Sequence, residues 1–275
     1  MNCIFGFFDV LGFTSFCEHC DLNSTEHVLK VIDEFETEIP ATLIRALDVQ
    51  GNVPEDKKEL LKNRLKWLTF SDSVFVAMQI DRTTNTEGRK FDLIFFMLLI
   101  AYINRRMFEL GLPLRGTVHI GDVLVSKRCF AGKPVVVAHQ LSAKCEVAAA
   151  IISDAAYAFI SETFADAGPV RSMISNLMVE CDVPIKNDQH LKGVFHVPSQ
   201  RMKTLCWFYL EMGVNDKFVV PPDLGAFVRA KFTAHGKKLL GHNEQMKAFH
   251  TEALFHVWRA ASDKQYREQV TMRPT

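Results

Sequence analysis

The sequence predicts a ferredoxin-like α/β (α+β) fold, in which a central, mostly antiparallel sheet is flanked by helices and followed by a helical C-terminal extension. A short apolar run at residues 3–8 indicates a buried strand, and residues 65–80 indicate a hairpin. Stretches with helical periodicity separate these strand-like runs. The resulting order of strand, helix, hairpin, helix and strand is that of a split βαβ sandwich.

The first strand ends in a carboxylate and is followed by a glycine-containing turn. Asp9 comes directly after the apolar run, and residues 10–16 (VLGFTSF) then lead into a helix. A carboxylate supplies the hard oxygen that Mg²⁺ or Mn²⁺ prefers, and the backbone N–H groups at the start of a helix face an anion. The same pattern also fits a strand whose terminal Asp caps the next helix, so both interpretations stay open at this point.

Residues 23–47 predict a helix that Pro40 kinks or ends. Asn23 and Glu26 have capping-box spacing, and apolar residues recur one turn apart from residue 28 to residue 39. A polar loop at residues 50–58 leads to the hairpin. Asp72 lies at the tip of that hairpin, where turn chemistry alone often favours Asp.

Residues 91–110 predict a helix that is apolar on nearly every side, and we expect Arg105 and Arg106 near its end to be solvated. The next strand, at residues 114–125, contains Gly116 and Gly121, which indicate a bulge or the close approach of another group. A loop from Cys129, a helix from about residue 135, a strand at 150–153 and a helix at 154–164 complete the pattern.

The C-terminal part gives weaker signals. Residues 191–194 and 204–210 predict the arms of a late hairpin, and Pro221 and Pro222 mark a break. Helices are predicted over residues 223–240 and 243–261, and the last ten residues look frayed. One face of the helix at 243–261 carries Phe249, Ala253, His256 and Val257. We therefore predict a main domain at residues 1–212 and a helical extension packed on it at residues 213–275.

Composition excludes several functional classes. The 275 residues contain 32 basic and 32 acidic side chains without a basic block, so a nucleic-acid partner is not predicted. The longest apolar stretch, residues 91–103, is too short to span a membrane. Strand-like sequence follows Met1 at once, and seven cysteines form no regular framework, so we expect a cytoplasmic protein without a signal peptide. Cys17 and Cys20 have no second pair nearby and do not predict a zinc site.

Six segments, taken in order along roughly residues 1–210, together resemble the class III nucleotidyl cyclases. These are residues 8–14 (FDVLGFT), 69–72 (TFSD), 114–121 (LRGTVHIG), 132–138 (GKPVVVA), 151–157 (IISDAAY) and 191–194 (LKGV). Each segment alone is a weak signal, but their shared order makes chance an unsatisfactory explanation. Within that family the chain looks most like the stand-alone pyrimidine cyclases of bacterial anti-phage (Pycsar) defence.

The resemblance implies that Asp9 and Asp72 bind two Mn²⁺ or Mg²⁺ ions per site. The Val10 carbonyl is a candidate further metal ligand. Arg115 is a candidate clamp on a phosphate, because a guanidinium matches phosphate oxygens in a fork. The backbone amides of the following turn would hold the β- and γ-phosphates, and the residues concerned include Leu11, Gly12, Phe13 and Thr14.

The chain departs from the family pattern at several positions. Val136 stands where the family has a ribose-binding Asn, and Gln140 stands where it has a transition-state Arg. Lys144 lies one helical turn beyond Gln140 and could replace the missing charge, as could Arg171. Leu68 and Cys129 occupy the base-reading positions, and they form neither an adenine nor a guanine reader.

The predicted function is therefore the conversion of UTP to 3′,5′-cyclic UMP and pyrophosphate in anti-phage defence. The resemblance implies a homodimer with two shared active sites and a separate effector that reads the cyclic nucleotide, with no membrane or nucleic-acid partner. A cytidylate or purine cyclase of the same fold is one alternative. A catalytically inactive regulatory module is the other, favoured by Val136 and Gln140 and opposed by the two acids Asp9 and Asp72.

Overall fold

A computed structural model describes residues 1–48, 59, 61, 63–80, 86–126, 129–186, 198–209, 218–239 and 242–271. Seven strands form one sheet in the order β2-β3-β1-β4-β7-β9-β8, and β5 and β6 pair separately. Every neighbouring pair in the large sheet is antiparallel except β4 and β7. The predicted mixed α/β fold with a mainly antiparallel sheet is confirmed.

The strands are β1 (Asn2–Val10), β2 (Leu65–Phe70), β3 (Ser73–Gln79), β4 (Leu114–Asp122), β5 (Leu124–Val125), β6 (Phe130–Ala131), β7 (Ala150–Ile152), β8 (Met178–Pro184) and β9 (Ser199–Leu205). The α-helices are α1 (Phe13–His19), α2 (Leu22–Leu47), α3 (Thr86–Glu109), α4 (Lys133–Lys144), α5 (Asp154–Thr163), α6 (Pro169–Leu177), α7 (Leu224–Phe232), α8 (His242–Ser262) and α9 (Lys264–Thr271).

The two faces of the sheet pack differently, and the alternation of side chains along β1 shows this. Ile4 and Phe8 belong to the large core, which also contains the buried side chains of α2 and α3. Cys3 and Phe5 belong to a smaller cluster on the opposite face, where Ala138 of α4 packs. Asp9 is separated from Cys3 and Phe5 by an even number of positions, so its side chain lies on the same face of the sheet, the one that carries α4.

The two strand glycines are confirmed as sites of close approach. A Cβ on Gly116 would lie 2.0 Å from Cδ1 of Phe8, and one on Gly121 would lie 2.5 Å from Cγ of Pro134. Gly121 thus lets the first turn of α4 lie directly on β4.

Several predicted helix boundaries are wrong. The cap of α2 is Asp21, whose side chain accepts a hydrogen bond from the backbone N–H of Ser24, and not Asn23. Pro40 lies inside α2, which continues to Leu47, so only the alternative in which Pro40 ends the helix is wrong. Helix α3 begins at Thr86 and not at residue 91. The predicted frayed end contains α9. The cap of α2 is decided by the local hydrogen bond to Asp21, and the first turn of α3 contains the Glu87–Lys90 ion pair, which supports a helix in polar sequence.

The predicted helix over residues 223–240 is also wrong in its extent. It ends at Phe232, and a short 3₁₀ turn at Ala234–Gly236 follows. His235 in that turn has a left-handed φ of 58°, which breaks the helical path. This break redirects the chain toward the end of α3.

The C-terminal helices share the core of the sheet. Phe255 and Trp258 of α8 are fully buried, and their rings lie 5.4 and 5.9 Å from that of Trp207. The Trp258 indole N–H donates to Thr204 Oγ1 at 2.9 Å. Phe249, Ala253, His256 and Val257 are instead exposed, so the face that they form is the solvent face of α8.

Arg105 is buried, which contradicts the prediction of a solvated side chain. Its Nε donates to Glu109 at 2.8 Å, and its guanidinium lies over the ring of Phe218. The late hairpin is formed by β8 and β9, so the predicted arm at residues 204–210 is wrong in its extent: β9 ends at Leu205, and Trp207–Tyr209 form a 3₁₀ turn. The other predicted arm, at residues 191–194, lies outside the described residues. The predicted boundary at residues 212–213 also lies outside them. Within the described ranges, no helix combines the length and apolar content needed to cross a bilayer.

Candidate active site

Asp9 lies between two polar residues of the neighbouring strands. It is opposite Ser73 in β3 and Arg115 in β4. The Ser73 hydroxyl donates to Asp9 Oδ1 at 2.9 Å, and Arg115 Nη2 lies 3.8 Å from Asp9 Oδ2. The carboxylate is therefore oriented from both sides, in a largely buried position.

Asp72 is held next to Asp9 by the geometry of the hairpin turn. Ser71 and Asp72 form a two-residue turn in which Ser71 adopts a positive φ of 54°. The Asp72 carbonyl accepts a hydrogen bond from the Val10 backbone N–H at 2.8 Å. This bond ties the hairpin tip to the end of β1, so the two acids predicted from separate motifs are neighbours along the backbone of the adjoining strand ends.

The turn after β1 is fixed to both the sheet and the C-terminal segment. The Leu11 N–H donates to the Pro113 carbonyl at 2.8 Å, just before β4 begins. Gly12 has a left-handed φ of 76°, and a Cβ there would lie 3.5 Å from Cδ of Lys237. The turn thus needs glycine, and the side chain of Lys237 packs close to it.

A cleft of about 240 Å³ opens beside this turn. On one side its lining is formed by the turn, and on the other by residues of the C-terminal segment. The lining residues are Val10, Leu11, Gly12, Phe13, Thr14, Ser15, Asp72, Arg115, Phe232, Lys237, Lys238, Leu239, Glu244 and Lys247. Seven of the predicted site residues, from three separate sequence motifs, therefore line a cleft beside an eighth, Asp9.

The Arg115 side chain is largely buried, so its ion pair with Asp9 is not a solvent-exposed surface pair. Its Nη1 donates to the Cys145 carbonyl at 3.2 Å, and its Nε is buried without a hydrogen-bond partner among the described residues. An unpaired buried donor costs free energy. The Asp9 carboxylate and the Cys145 carbonyl therefore hold the guanidinium in place at the edge of the cleft.

The two residues predicted to read the base and the two predicted site residues of α4 lie away from the cleft. Leu68 packs against the small cluster with Phe130, whose ring stacks on Phe75 with a centroid separation of 3.5 Å. Cys129, Gln140 and Lys144 are exposed, and none of them lines the cleft. The roles predicted for these four site residues stay predictions.

Trp67 is not part of the small cluster on which Leu68 packs. The two residues are adjacent in β2 and point to opposite faces, and Trp67 packs on the large core. The side chains that flank Leu68 are therefore Phe75 and Phe130.

The residues at this site fit a divalent cation of the Mg²⁺ or Mn²⁺ type. Asp9 and Asp72 offer carboxylate oxygens at one end of neighbouring strands, and these ions prefer oxygen ligands. No larger group of three or more His, Cys, Asp or Glu side chains is brought together within the described ranges. Among the described residues, the acids Asp9 and Asp72 with the Val10 carbonyl stay the predicted donor set.

Sequence reasoning missed the three lysines that line the cleft. Lys237 and Lys238 follow Gly236 directly, and Lys247 lies on α8. A Gly-Lys-Lys segment in a C-terminal region has no spacing relation to Asp9 or Asp72. Only the docking of the C-terminal segment reveals that these lysines reach the site.

Lys237 is buried, and burial lowers its pKa to about 8. The unfolded chain therefore holds a proton between about pH 8 and the ordinary lysine pKa of 10.5 that the folded chain has released. The unfolding free energy rises with pH wherever the unfolded state binds more protons. The penalty for burying the charge is thus fully present below pH 8 and disappears as the pH approaches 10.5.

We expect Lys237→Met to remove this pH dependence. From pH 7.5 to pH 10.5, the unfolding free energy of the wild type should rise by about 2–3 kcal/mol relative to that of the variant. Urea denaturation across this range measures the difference. Lys238→Met is the matched control, because Lys238 is exposed. Its unfolding free energy should change with pH as that of the wild type does. The same pH dependence of the unfolding free energy in Lys237→Met and in the wild type would contradict the lowered pKa of Lys237.

Comparison with known proteins gives matches among solved structures. No protein-family model and no curated protein matches the chain. The adenylyl cyclase CyaB from P. aeruginosa is 16% identical, with 74% of this chain and 93% of that chain covered and a TM-score of 0.39. The catalytic core of a rhodopsin-guanylyl cyclase with converted specificity, in complex with ATPαS, is 13% identical, with 74% and 94% covered and a TM-score of 0.41.

The guanylyl cyclase Cya2 is 14% identical, with 75% of this chain and 92% of that chain covered and a TM-score of 0.32. At these identities the similarity concerns the path of the chain and not the chemistry of its site.

Proposed function

We propose that the protein is a metal-dependent nucleotidyl cyclase that converts UTP to 3′,5′-cyclic UMP and pyrophosphate. The observation that supports the proposal is the position of Asp9 and Asp72 at adjoining strand ends next to the Leu11–Thr14 turn, with Asp72 and Arg115 lining the same cleft. Paired acids next to an anion-binding turn are what a triphosphate with its divalent ions requires.

Cyclisation is an in-line displacement at the α-phosphate. The ribose 3′-oxygen forms a bond to the α-phosphorus, the bond from that phosphorus to the bridging oxygen of the β-phosphate breaks, and the 3′-hydroxyl proton passes to solvent. Bound divalent ions lower the pKa of the attacking hydroxyl and neutralise charge on the phosphates. The protein must therefore hold the metals, orient the triphosphate and compensate the charge of the leaving pyrophosphate.

Residues of this chain suit each of these tasks. Asp9 and Asp72 would hold the ions, with the orientation of Asp9 set by Ser73 and Arg115. The backbone amides of the turn from Leu11 to Thr14 would bind the β- and γ-phosphates. Arg115 lines the cleft and would compensate phosphate charge.

The preference for a pyrimidine is proposed from the base-reading positions. Leu68 is half-buried against the cluster with Phe130, and the exposed Cys129 directly precedes Phe130 in the sequence. These residues supply an apolar wall and a thiol, and they lack the charged groups with which the purine cyclases read their bases. UTP is chosen over CTP on the resemblance to the defence pyrimidine cyclases.

A homodimer completes the proposal, because Gln140 and Lys144 lie away from the cleft of their own chain. On α4, Val136 is 54% exposed and Val137 is 39% exposed, and Leu124 of β5 is 74% exposed. Exposed apolar side chains on the face of the sheet that carries α4 are suited to a partner subunit. In such a dimer each site would combine the acids of one chain with α4 of the other, and the product would signal to a separate effector in anti-phage defence.

A competition assay tests the base preference. Equal concentrations of ATP, GTP, CTP and UTP with Mn²⁺ should give mainly cyclic UMP by mass spectrometry. A buried polar group left unpaired by the wrong base costs about 1–3 kcal/mol, which corresponds to a preference of about ten- to a hundredfold. A dominant cyclic CMP product would overturn the choice of uracil, and a dominant cyclic purine nucleotide would overturn the interpretation of Leu68 and Cys129.

A further inference from the structure

The C-terminal segment is fastened to the end of α3 by three basic side chains. Lys231 Nζ donates to the Glu109 carbonyl at 2.6 Å, and His235 Nε2 lies 2.5 Å from the Leu110 carbonyl oxygen. Lys237 Nζ donates to the carbonyl of Gly111. The last carbonyls of a helix lack intrahelical partners and carry partial negative charge, so basic side chains there are stabilising.

This attachment brings the following residues to the cleft. Lys237 packs beside Gly12, and the next residue, Lys238, is exposed and lines the same cleft. Lys247 of α8 also lines it, and its Nζ lies 3.9 Å from Glu146 Oε2, a long ion pair. Lys237 already donates hydrogen bonds to backbone carbonyls, whereas Lys238 and Lys247 retain N–H donors for a ligand.

The charge of the cleft is unlike that of the chain as a whole. The chain has no formal net charge, but four of the described lining residues are basic and two are acidic. The basic ones are Arg115, Lys237, Lys238 and Lys247, and the acidic ones are Asp72 and Glu244. A local excess of positive charge opposite a turn of backbone amides is suited to a polyanion.

We infer that Lys238 and Lys247 bind the triphosphate of the substrate in cis, with Lys237 as a positioning residue that holds their segment against the Gly12 turn. The identity of the ligand rests on the proposed function. Gln140 supplies no positive charge, and the C-terminal lysines provide cationic groups within the same chain. A lysine ammonium forms charge-assisted hydrogen bonds with phosphate oxygens, which are stronger than neutral ones.

The test compares ligand binding by charge-removing and charge-keeping variants of the full chain. Titration calorimetry in Mg²⁺ would use inorganic tripolyphosphate and 3′-deoxy-UTP, which lacks the attacking hydroxyl. The double variant Lys238→Gln/Lys247→Gln should bind both probes at least about tenfold more weakly than the wild type. The Lys238→Arg/Lys247→Arg variant should stay within about threefold, because it keeps both charges.

Lys264→Gln is the matched control, because Lys264 is an exposed lysine that does not line the cleft, and it should bind like the wild type. Equal binding by the wild type and the double Gln variant, or no binding of tripolyphosphate by the wild type, would overturn the inference. Lysine-dependent binding in a protein that cyclises no nucleotide would support the inference and refute the proposed function. Cyclase activity together with binding that does not depend on these lysines would refute the inference and support the proposed function.

Discussion

Replacing Asp72 with Asn should lower the rate of cyclic-nucleotide formation by at least about a thousandfold while leaving the fold intact. Loss of a catalytic metal ligand removes several kcal/mol of transition-state stabilisation, and each 1.4 kcal/mol is about tenfold in rate. The fold should survive because Asp72 contacts Val10 through its backbone carbonyl, and Asn is also favoured in turns. Turnover of UTP in Mn²⁺, together with Mn²⁺ binding measured by paramagnetic resonance, checks both parts.

Asp9→Asn should cause a similar loss of rate but with some loss of stability. Its amide can still accept a hydrogen bond from Ser73, whereas the largely buried Arg115 would lose its carboxylate neighbour. Asp122→Asn is the matched control, because Asp122 is an exposed acid at the end of β4, and it should keep normal turnover. Near-normal turnover in Asp72→Asn or Asp9→Asn would remove that residue from the mechanism.

Mixing two inactive variants should restore about a quarter of the wild-type activity. One variant carries Asp72→Asn and the other carries Gln140→Glu with Lys144→Glu. If each site combines the acids of one chain with α4 of the other, a mixed dimer has one site with all the changes and one site with none. A 1:1 mixture with random pairing contains about half mixed dimers, and these have half of their sites intact.

Subunit exchange must be measured alongside the activity. Native mass spectrometry of chains with different tags shows whether mixed dimers form. The control mixture is Asp72→Asn with Asp9→Asn, which places both defects in the same contributing half and should stay inactive. Mixed dimers of the first pair that form but remain inactive would contradict the shared site, as would a protein that stays monomeric at assay concentration.

The sheet could be predicted because its signals are local. The alternation of β1 and the two-residue turn of the hairpin depend on a few neighbouring residues, and these local patterns are enough to place Asp9 and Asp72 at strand ends. The packing of α8 could not be predicted in the same way. It carries two apolar stripes, one with Phe249 and the other with Phe255, and the buried stripe is the one that contacts Trp207 and Thr204 on distant elements.

The candidate site shows the same division between local and distant signals. Asp72 and Arg115 belong to recognisable motifs, and they line the cleft together. Lys238 and Lys247 belong to no motif, because their placement depends on the left-handed residue His235 and on the docking of the segment at the end of α3. No pattern of neighbouring residues indicates the contact of His235 with the Leu110 carbonyl, because the two residues are 125 positions apart and belong to no shared motif.

The most direct measurement incubates the wild-type chain with UTP and Mn²⁺ and quantifies every product by mass spectrometry. We expect 3′,5′-cyclic UMP and pyrophosphate in equal amounts, with both products lost in Asp72→Asn. UTP that remains unchanged would indicate an inactive regulatory module. UDP with inorganic phosphate would indicate hydrolysis at the γ-phosphate, and either result would contradict the proposed cyclase.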